Sequence, residues 1–476
     1  MSDCMEQQAE AGWRDILLGR YAAMSLVLAG GISLHAINIT ISATMLPSIV
    51  AEIGGQKLYA WNSTLFTLSA ILLAAVTGRV IQRLGARLTF VIAVLLFALG
   101  SLISAGSTSM TVMLAGRSVQ GAGGGMLFTL CYAMIVHVYP EHLWSRAMAL
   151  LSGTWGIAML FGPAIGGIFA EYDAWRLGFL VLAPMAGVFL MIVLYLLPGM
   201  DRKKERASPI AYVQLAFIAG SVLAISFASL SPSLISAALW TVLSVVLIVA
   251  LMRREQRGGN RLFPTGVMMP GTALFLTFAL MALLIFCVNT EFFMPFYLQR
   301  LHGLSPLWAG YIAALVSIGW AVSEVCSARY EGKAMERTVV AGPLAMVTGM
   351  LILAAGTPQY GSADLDLVLL IALALVLVGV GIGLGWPHIN TFALQFTEAE
   401  ERETAASALS TVQMFAVAFG TAVAGLVTNM SGFNQTDNID GIANSAGWLF
   451  VTFAVSSVLA CFVSWKLLVK RQEISQ

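Results

Sequence analysis

The residues best able to do chemistry in this sequence are ionisable groups set inside long apolar stretches. Glu291 lies in CVNTEFFMPF, just ahead of the helix-breaking Pro295, and Glu324 lies in AVSEV, ahead of Arg329. Arg117 begins RSVQGAG, with Gln120 one turn on, and His35 precedes Asn38 by three residues. A charge surrounded by hydrocarbon costs ~2.5 kcal/mol or more, so it is kept where it meets a partner, lines a wet cavity or handles a proton. The chemistry these groups offer is proton uptake and release. Glu291 is the leading carrier, its alternative being a partner for Arg300 or for water at the nearby surface. Glu324 is as well placed to be a solvated interfacial acid as to carry a proton. His35 can act as a titrating imidazole or simply as a packing residue. Arg117 either snorkels to the nearer surface or faces an interior site. Asn38, Asn289, Trp386, His388 and Asn390 add candidate hydrogen-bonding and stacking groups for a bound molecule.

What positions these groups is a chain that cannot be water-soluble. Of its 476 residues 59% are hydrophobic and 10% charged, and mean hydropathy is +0.86, whereas soluble domains are about a quarter charged. Apolar runs long enough to cross a bilayer as helices occur at 21–50, 58–81, 88–105, 111–137, 147–170, 177–197, 210–229, 234–251, 272–298, 307–326, 339–355, 367–392, 404–427 and 446–463. The pattern predicts an all-α integral membrane protein of about fourteen spans grouped as six, two and six. The expected divisions are a tail (1–20), a first six-helix bundle (21–199), basic linkers with two extra helices (200–265), a second bundle (266–469) and a closing tail (470–476).

Charge placement tests that count. With the N-terminus cytoplasmic, twenty lysines and arginines fall on the inner side and only Lys57, Arg176 and Arg300 on the other, as the positive-inside rule requires. Both termini are therefore expected in the cytoplasm. The first 20 residues are polar and lack an apolar core, so no cleavable signal is expected. The five cysteines are scattered, with neither metal-ligand spacing nor a disulfide framework. No metal, no organic cofactor and no nucleic-acid partner is expected.

Several short segments carry a family likeness. GRVIQRLGAR at 78–87 is similar to the loop G-x-x-x-D-R-x-G-R-R/K of the major facilitator superfamily, matching at Gly78, Arg83, Gly85 and Arg87 and departing at Gln82, where the family has an acid. RSVQGAG from Arg117 resembles the family's R-x-x-Q-G-x-G. Gly162, Pro163, Gly166 and Gly167 match the G-P-x-x-G-G of its exporters, with Ala158 where a glycine is usual. NITISATMLP from Asn38 resembles the first-span D-x-T…A-L-P of the fourteen-span drug:proton antiporters, with Asn38 in the aspartate position. Trp175-Arg176…Phe179, and Pro295…Gln299 followed by Gly303…Pro306 and Gly310, match further family segments.

The resemblance implies a proton-coupled antiporter that exports small amphipathic compounds by alternating access between two helix bundles, a multidrug or toxic-compound pump of the inner (plasma) membrane. It implies a monomer that uses the proton gradient as its energy source, with a periplasmic adaptor as an optional partner. The missing acid at Asn38 makes neutral or anionic cargo more plausible than organic cations. Two other readings stay open: an exporter of a physiological metabolite or lipid, and a transporter-like sensor that binds without translocating. An enzyme is not expected, because no cluster of catalytic polar groups sits at one membrane face and no G-x-x-x-x-G-K-[ST] phosphate loop is present.

Overall fold

The computed structural model describes residues 16–197, 210–259, 261–361, 364–435 and 438–475. Most of the first tail and the basic stretch around Arg202 to Arg206 lie outside the described residues. Within them every regular element is a helix. The first six-helix set contains α1 (Ala22–Ile53), α2 (Tyr59–Leu84), α3 (Ala86–Ala105), α4 (Met110–Val138), α5 (Glu141–Glu171) and a sixth span made of α6 (Trp175–Leu180) and α7 (Leu182–Leu196). The inserted pair is α8 (Tyr212–Ala228) and α9 (Leu234–Gln256). The second set contains a broken first span, α10 (Ala273–Val288) and α11 (Met294–Arg300), then α12 (Pro306–Ser327), α13 (Gly332–Gly356), α14 (Leu365–Gln395), α15 (Arg402–Met430) and α16 (Ile439–Ser475).

Twelve helical segments among the described residues are long and apolar enough to cross a membrane. The two other expected spans are also helices. They are α4, of 29 residues, and α8, whose 17 residues make it a short apolar helix.

Two spans expected to be continuous are interrupted, each for a backbone reason. Proline lacks the N–H that would bond the carbonyl four residues earlier. Pro184 sits four residues after Leu180, where α6 ends. Pro295 stands in the same relation to Glu291, and residues Asn289–Phe293 tighten into a 3-10 turn in which the Met294 N–H bonds the Glu291 carbonyl. Asn289 assists by donating its side-chain amide to the Ile285 carbonyl at 2.8 Å, a local bond that competes with the regular ladder.

The packing of the two sets repeats although their sequences do not visibly do so. The fourth span packs against the second and third in both: α4 on α2 and α3, and α14 on α12 and α13. The sets meet along two seams, α5 with α12 and α2 with α15. Each seam joins the fifth span of one set to the second span of the other, which is a two-fold relation. The inserted α8 lies against α2 and α15, covering one seam.

The seams are tied at the end of the molecule that carries Lys57 and Asn429. Gln56 donates to the Phe433 carbonyl, and Asn429 donates to the Lys57 carbonyl at 2.8 Å. An aromatic plug of Tyr59, Phe293, Phe296 and Phe433, with ring centroids 4.6 to 5.5 Å apart, fills the space beneath them. The opposite end holds Arg83, Arg87, Arg253, Arg257, Arg329 and Arg471 and is the basic face.

Candidate functional site

Below the aromatic plug two small cavities lie between the halves. One, about 50 Å³, is bounded by Thr40 and Ala43 of α1, Met159 and Pro163 of α5, Glu291 and Pro295, and Gly310 and Ser317 of α12. The other, about 10 Å³, is reached by Ser42, Tyr59, Asn62, Arg117 and Thr421. Ile39, Ala43 and Phe292 wall both. Such volumes hold a few water molecules at most, against the ~300–1,000 Å³ of a drug-sized site.

Glu291 enters the cavity from the 3-10 turn. Among the described residues its carboxylate has neither a hydrogen bond nor an ion-pair partner. Arg300, an alternative partner on sequence grounds, is exposed at the last turn of α11. Asn289, two residues earlier, is turned away from the cavity. It donates to the Ala416 carbonyl at 3.3 Å and accepts from Thr421 Oγ1 at 3.2 Å, so it joins α10 to α15.

Arg117 does not snorkel. It is 1% exposed, and its Nη1 donates to Asn38 Oδ1 at 2.9 Å and to Gln120 Oε1 at 2.5 Å. Its guanidinium lies 4.3 Å from the centroid of the Phe66 ring. Gln120 passes the network on, donating to Ser101 Oγ at 2.7 Å. Four helices are thereby joined through one cation, with the Asn38 Nδ2 and Arg117 Nε donors left without partners. His35, one turn before Asn38, sits among Phe66, Phe128 and Trp155 at 5.4 to 6.0 Å between ring centroids.

The remaining candidates are elsewhere. Glu324 is half-buried toward the basic face, one turn after Trp320 and within electrostatic reach of Tyr132 across the interface. Trp386 packs edge-on to Trp320 with centroids 5.1 Å apart. His388 bonds the Ser327 carbonyl at 3.1 Å between α14 and α12, and Asn390 is half-buried beyond it. The central cavities are lined by neither His388 nor Asn390, nor by Trp386.

The glycine motif of α5 lies at the heart of the interface. A Cβ at Gly162 would collide with Thr40 Oγ1, and one at Gly166 would lie 2.9 Å from the Ile41 carbonyl oxygen, both on α1. Gly167 faces the other half, where a Cβ would come within 2.6 Å of Leu307 Cα. Gly310 of α12 in turn abuts Thr44 and Pro163. In the loop motif, Gly85 takes φ +82° to turn the chain from α2 into α3, a region glycine enters freely. Arg87 donates to the Leu194 carbonyl in the last turn of α7 at 2.6 Å, and Arg83 is exposed in the last turn of α2. Gly78 makes no close helix contact, having open space where a Cβ would stand. Gln82 Oε1 is buried without a partner.

Glu52 was not singled out in the sequence. It accepts from Trp175 Nε1 and from Arg176 Nη1, each at 2.5 Å, and so latches the first span to the sixth. A lone acid at the end of a span opposite a Trp-Arg pair was the available signal. Tyr59, Asn62 and Thr421 were also missed, and only tertiary packing brings them together.

Residues 28–421 match the family model described as Major Facilitator Superfamily. The chain belongs to that superfamily. A probable multidrug-efflux transporter of Mycobacterium tuberculosis (strain H37Rv) is 34% identical over 466 residues, covering 96% of this chain and 97% of the relative. A putative multidrug resistance protein of Pectobacterium carotovorum is 28% identical over 301 residues, 62% of this chain and 64% of that one. Among solved structures, a D-xylose–proton symporter superposes with TM-score 0.67 at 15% identity, over 94% of this chain and 97% of that one. The human organic anion transporter MFSD10 gives 0.60 at 18% identity, over 93% and 99%. The solved structures establish the shared fold. The protein is a multi-pass membrane protein of a family of transporters rather than enzymes.

Proposed function

We propose that this protein is a proton-coupled exporter of small amphipathic compounds, a multidrug-efflux antiporter of the plasma membrane (the inner membrane in a Gram-negative host). The basic face is the cytoplasmic side by the positive-inside rule. The bundles 21–199 and 266–469 rock about the α5/α12 and α2/α15 seams, and the segment 200–265 carries the inserted pair along. It works as a monomer without an organic cofactor, driven by the proton gradient.

The observation that carries this reading is the partnerless Glu291 carboxylate in the cavity between the halves, against Pro163 of the glycine-rich helix. A carboxylate with no fixed cation beside it is free to change protonation state as its surroundings change. Open to the outside, it takes a proton on a carboxylate oxygen, and the neutral acid allows the outer seam to close without stranding a charge. Open to the cytoplasm, it releases that proton as cargo enters, and the loaded carrier turns outward. Arg117, fixed by Asn38 and Gln120, is the donor met by an acceptor on the cargo. Glu324 and His35 are secondary stations on the proton's route. The full-length similarity to a multidrug-efflux transporter supports the direction and the cargo class.

Vesicles with an imposed pH gradient test this. Wild type should move a fluorescent amphipathic substrate uphill, and Glu291→Gln should abolish uphill movement while keeping substrate binding within about tenfold. Undiminished uphill transport by Glu291→Gln would sink the assignment of the proton to this residue. Uphill transport that ignores the gradient would sink proton coupling itself.

A further inference from the structure

The inserted pair presents one face to the transporter and another to its surroundings. Leu215, Ile218 and Val222 of α8 pack on Leu68 and Ile71 of α2 and on Ala418 of α15, over the seam between the halves. On the other face α8 and α9 leave a groove of about 500 Å³. Val213 and Phe217 form one wall, and Val245, Val246 and Val249 form the other. Val213, Val245 and Val246 are 49%, 53% and 55% exposed, so the groove opens away from the protein, toward lipid.

At the basic end the groove stops at Arg253, Arg254 and Arg257. Arg253 and Arg257 are exposed and one turn apart, hence on the same side of α9. Among the described residues neither forms an ion pair. The nearest acid in sequence, Glu255, is 4% exposed and occupied, accepting from the Leu262 and Phe263 N–H groups at 3.1 to 3.2 Å. It does not line the groove's apolar walls, so the arginines reach the slot without a neutralising carboxylate inside it.

Depth adds a second constraint. From Val245 to Arg257 the helix rises ~18 Å at ~1.5 Å per residue, slightly more than half the ~30 Å hydrocarbon core. An apolar slot one leaflet deep, ending in three guanidinium groups at headgroup level, matches a molecule with a hydrocarbon chain and an anionic head. We propose that this groove binds one anionic phospholipid of the basic-face leaflet. Its phosphate meets the arginines through charge-assisted hydrogen bonds, and an acyl chain lies between α8 and α9. The lipid thereby buttresses the helix pair that covers the α2/α15 seam.

The test uses the purified full chain, delipidated in detergent and titrated with phosphatidylglycerol or with phosphatidylcholine of the same acyl chains. Native mass spectrometry counts the lipid retained. One phosphatidylglycerol should bind at least tenfold more tightly than phosphatidylcholine. Arg253→Gln with Arg257→Gln should weaken it roughly 30-fold, two steps of about 1 kcal/mol each. Val249→Trp, which fills the groove and leaves the arginines intact, should weaken it by at least tenfold. Arg329→Gln with Arg337→Gln, on the same face but outside the groove, should leave binding unchanged. Equal retention of the two lipids, equal loss in the control variant, or full binding by Val249→Trp would each overturn the proposal. So would displacement of the lipid by equimolar inorganic phosphate, which would make the arginines a site for a soluble anion.

Discussion

Arg117 and Glu291 both carry formal charge into the apolar interior, one from each half, and their surroundings are opposite. The guanidinium is held by Asn38 and Gln120 and lies over Phe66. The carboxylate has no polar partner among the described residues and sits at a break in its helix, on a cavity wall. A permanent cation gains from fixed acceptors, because it stays charged in every conformation. An acid meant to gain and lose a proton is better left unpaired, since a fixed arginine beside it would hold it ionised. The difference teaches that charge is buried in two ways here: Arg117 ties helices of the first half together, and Glu291, on the proposed reading, is left free to respond to which side the cavity faces.

The sharpest way to break that comparison is to remove each group and measure stability. Arg117→Ala strips two charge-assisted bonds and leaves the Asn38 and Gln120 oxygens buried without donors, which should cost roughly 3–6 kcal/mol. Glu291→Ala loses no bond and should change stability by about 1 kcal/mol or less, in either direction. Unfolding of the purified protein in a denaturing detergent series would read both. Equal losses at the two sites would mean that Glu291 is held by something as firmly as Arg117 is.

A smaller effect is expected along α5, whose glycines let the two halves approach. Gly162→Val would drive a methyl into Thr40 and should cost about 1–3 kcal/mol through overpacking, with transport lost in proportion. Gly153, in the same helix, has open space where a side chain would go. Gly153→Val should therefore stay within about 1 kcal/mol of wild type and keep transporting. A thermal-shift series with initial transport rates would compare them, and equal damage at the two positions would remove the close-approach argument.

These contrasts also mark how much could be read beforehand. The all-helical, multi-span character and the charge asymmetry follow from composition along the chain, because a bilayer imposes one length and one polarity rule on every segment. The α5 glycines were legible because Gly162, Pro163, Gly166 and Gly167 match the G-P-x-x-G-G of the family's exporters. The isolation of Glu291 was not, since a sequence names a carboxylate but not what is absent around it. The break at Asn289 was half visible: Pro295 marks the bond lost at the Glu291 carbonyl, but a proline does not say that the turn before it tightens into a 3-10 helix. His388 and Trp386 looked like cavity residues because they flank a proline, yet they pack between α12 and α14. The two-fold packing was invisible because different residues make equivalent helix contacts in the two halves.

The least effect should come from Glu324→Gln, and it sharpens the comparison most finely. Glu324 is another carboxylate within an apolar helix, half-buried and in the last turn of α12, toward the basic face. A carboxylate that meets water on one side of the cycle can pass a proton to solvent, but it does not control whether the halves close over a charge. Its amide variant should therefore lower uphill transport by a few-fold at most, while downhill exchange of substrate stays intact. Paired with Glu291→Gln, the double variant should be no worse than Glu291→Gln alone, because the relay is idle once the coupling acid is gone. Collapse in Glu324→Gln alone, equal to that in Glu291→Gln, would make the two acids joint carriers of the proton and end the idea that one partnerless group does the coupling.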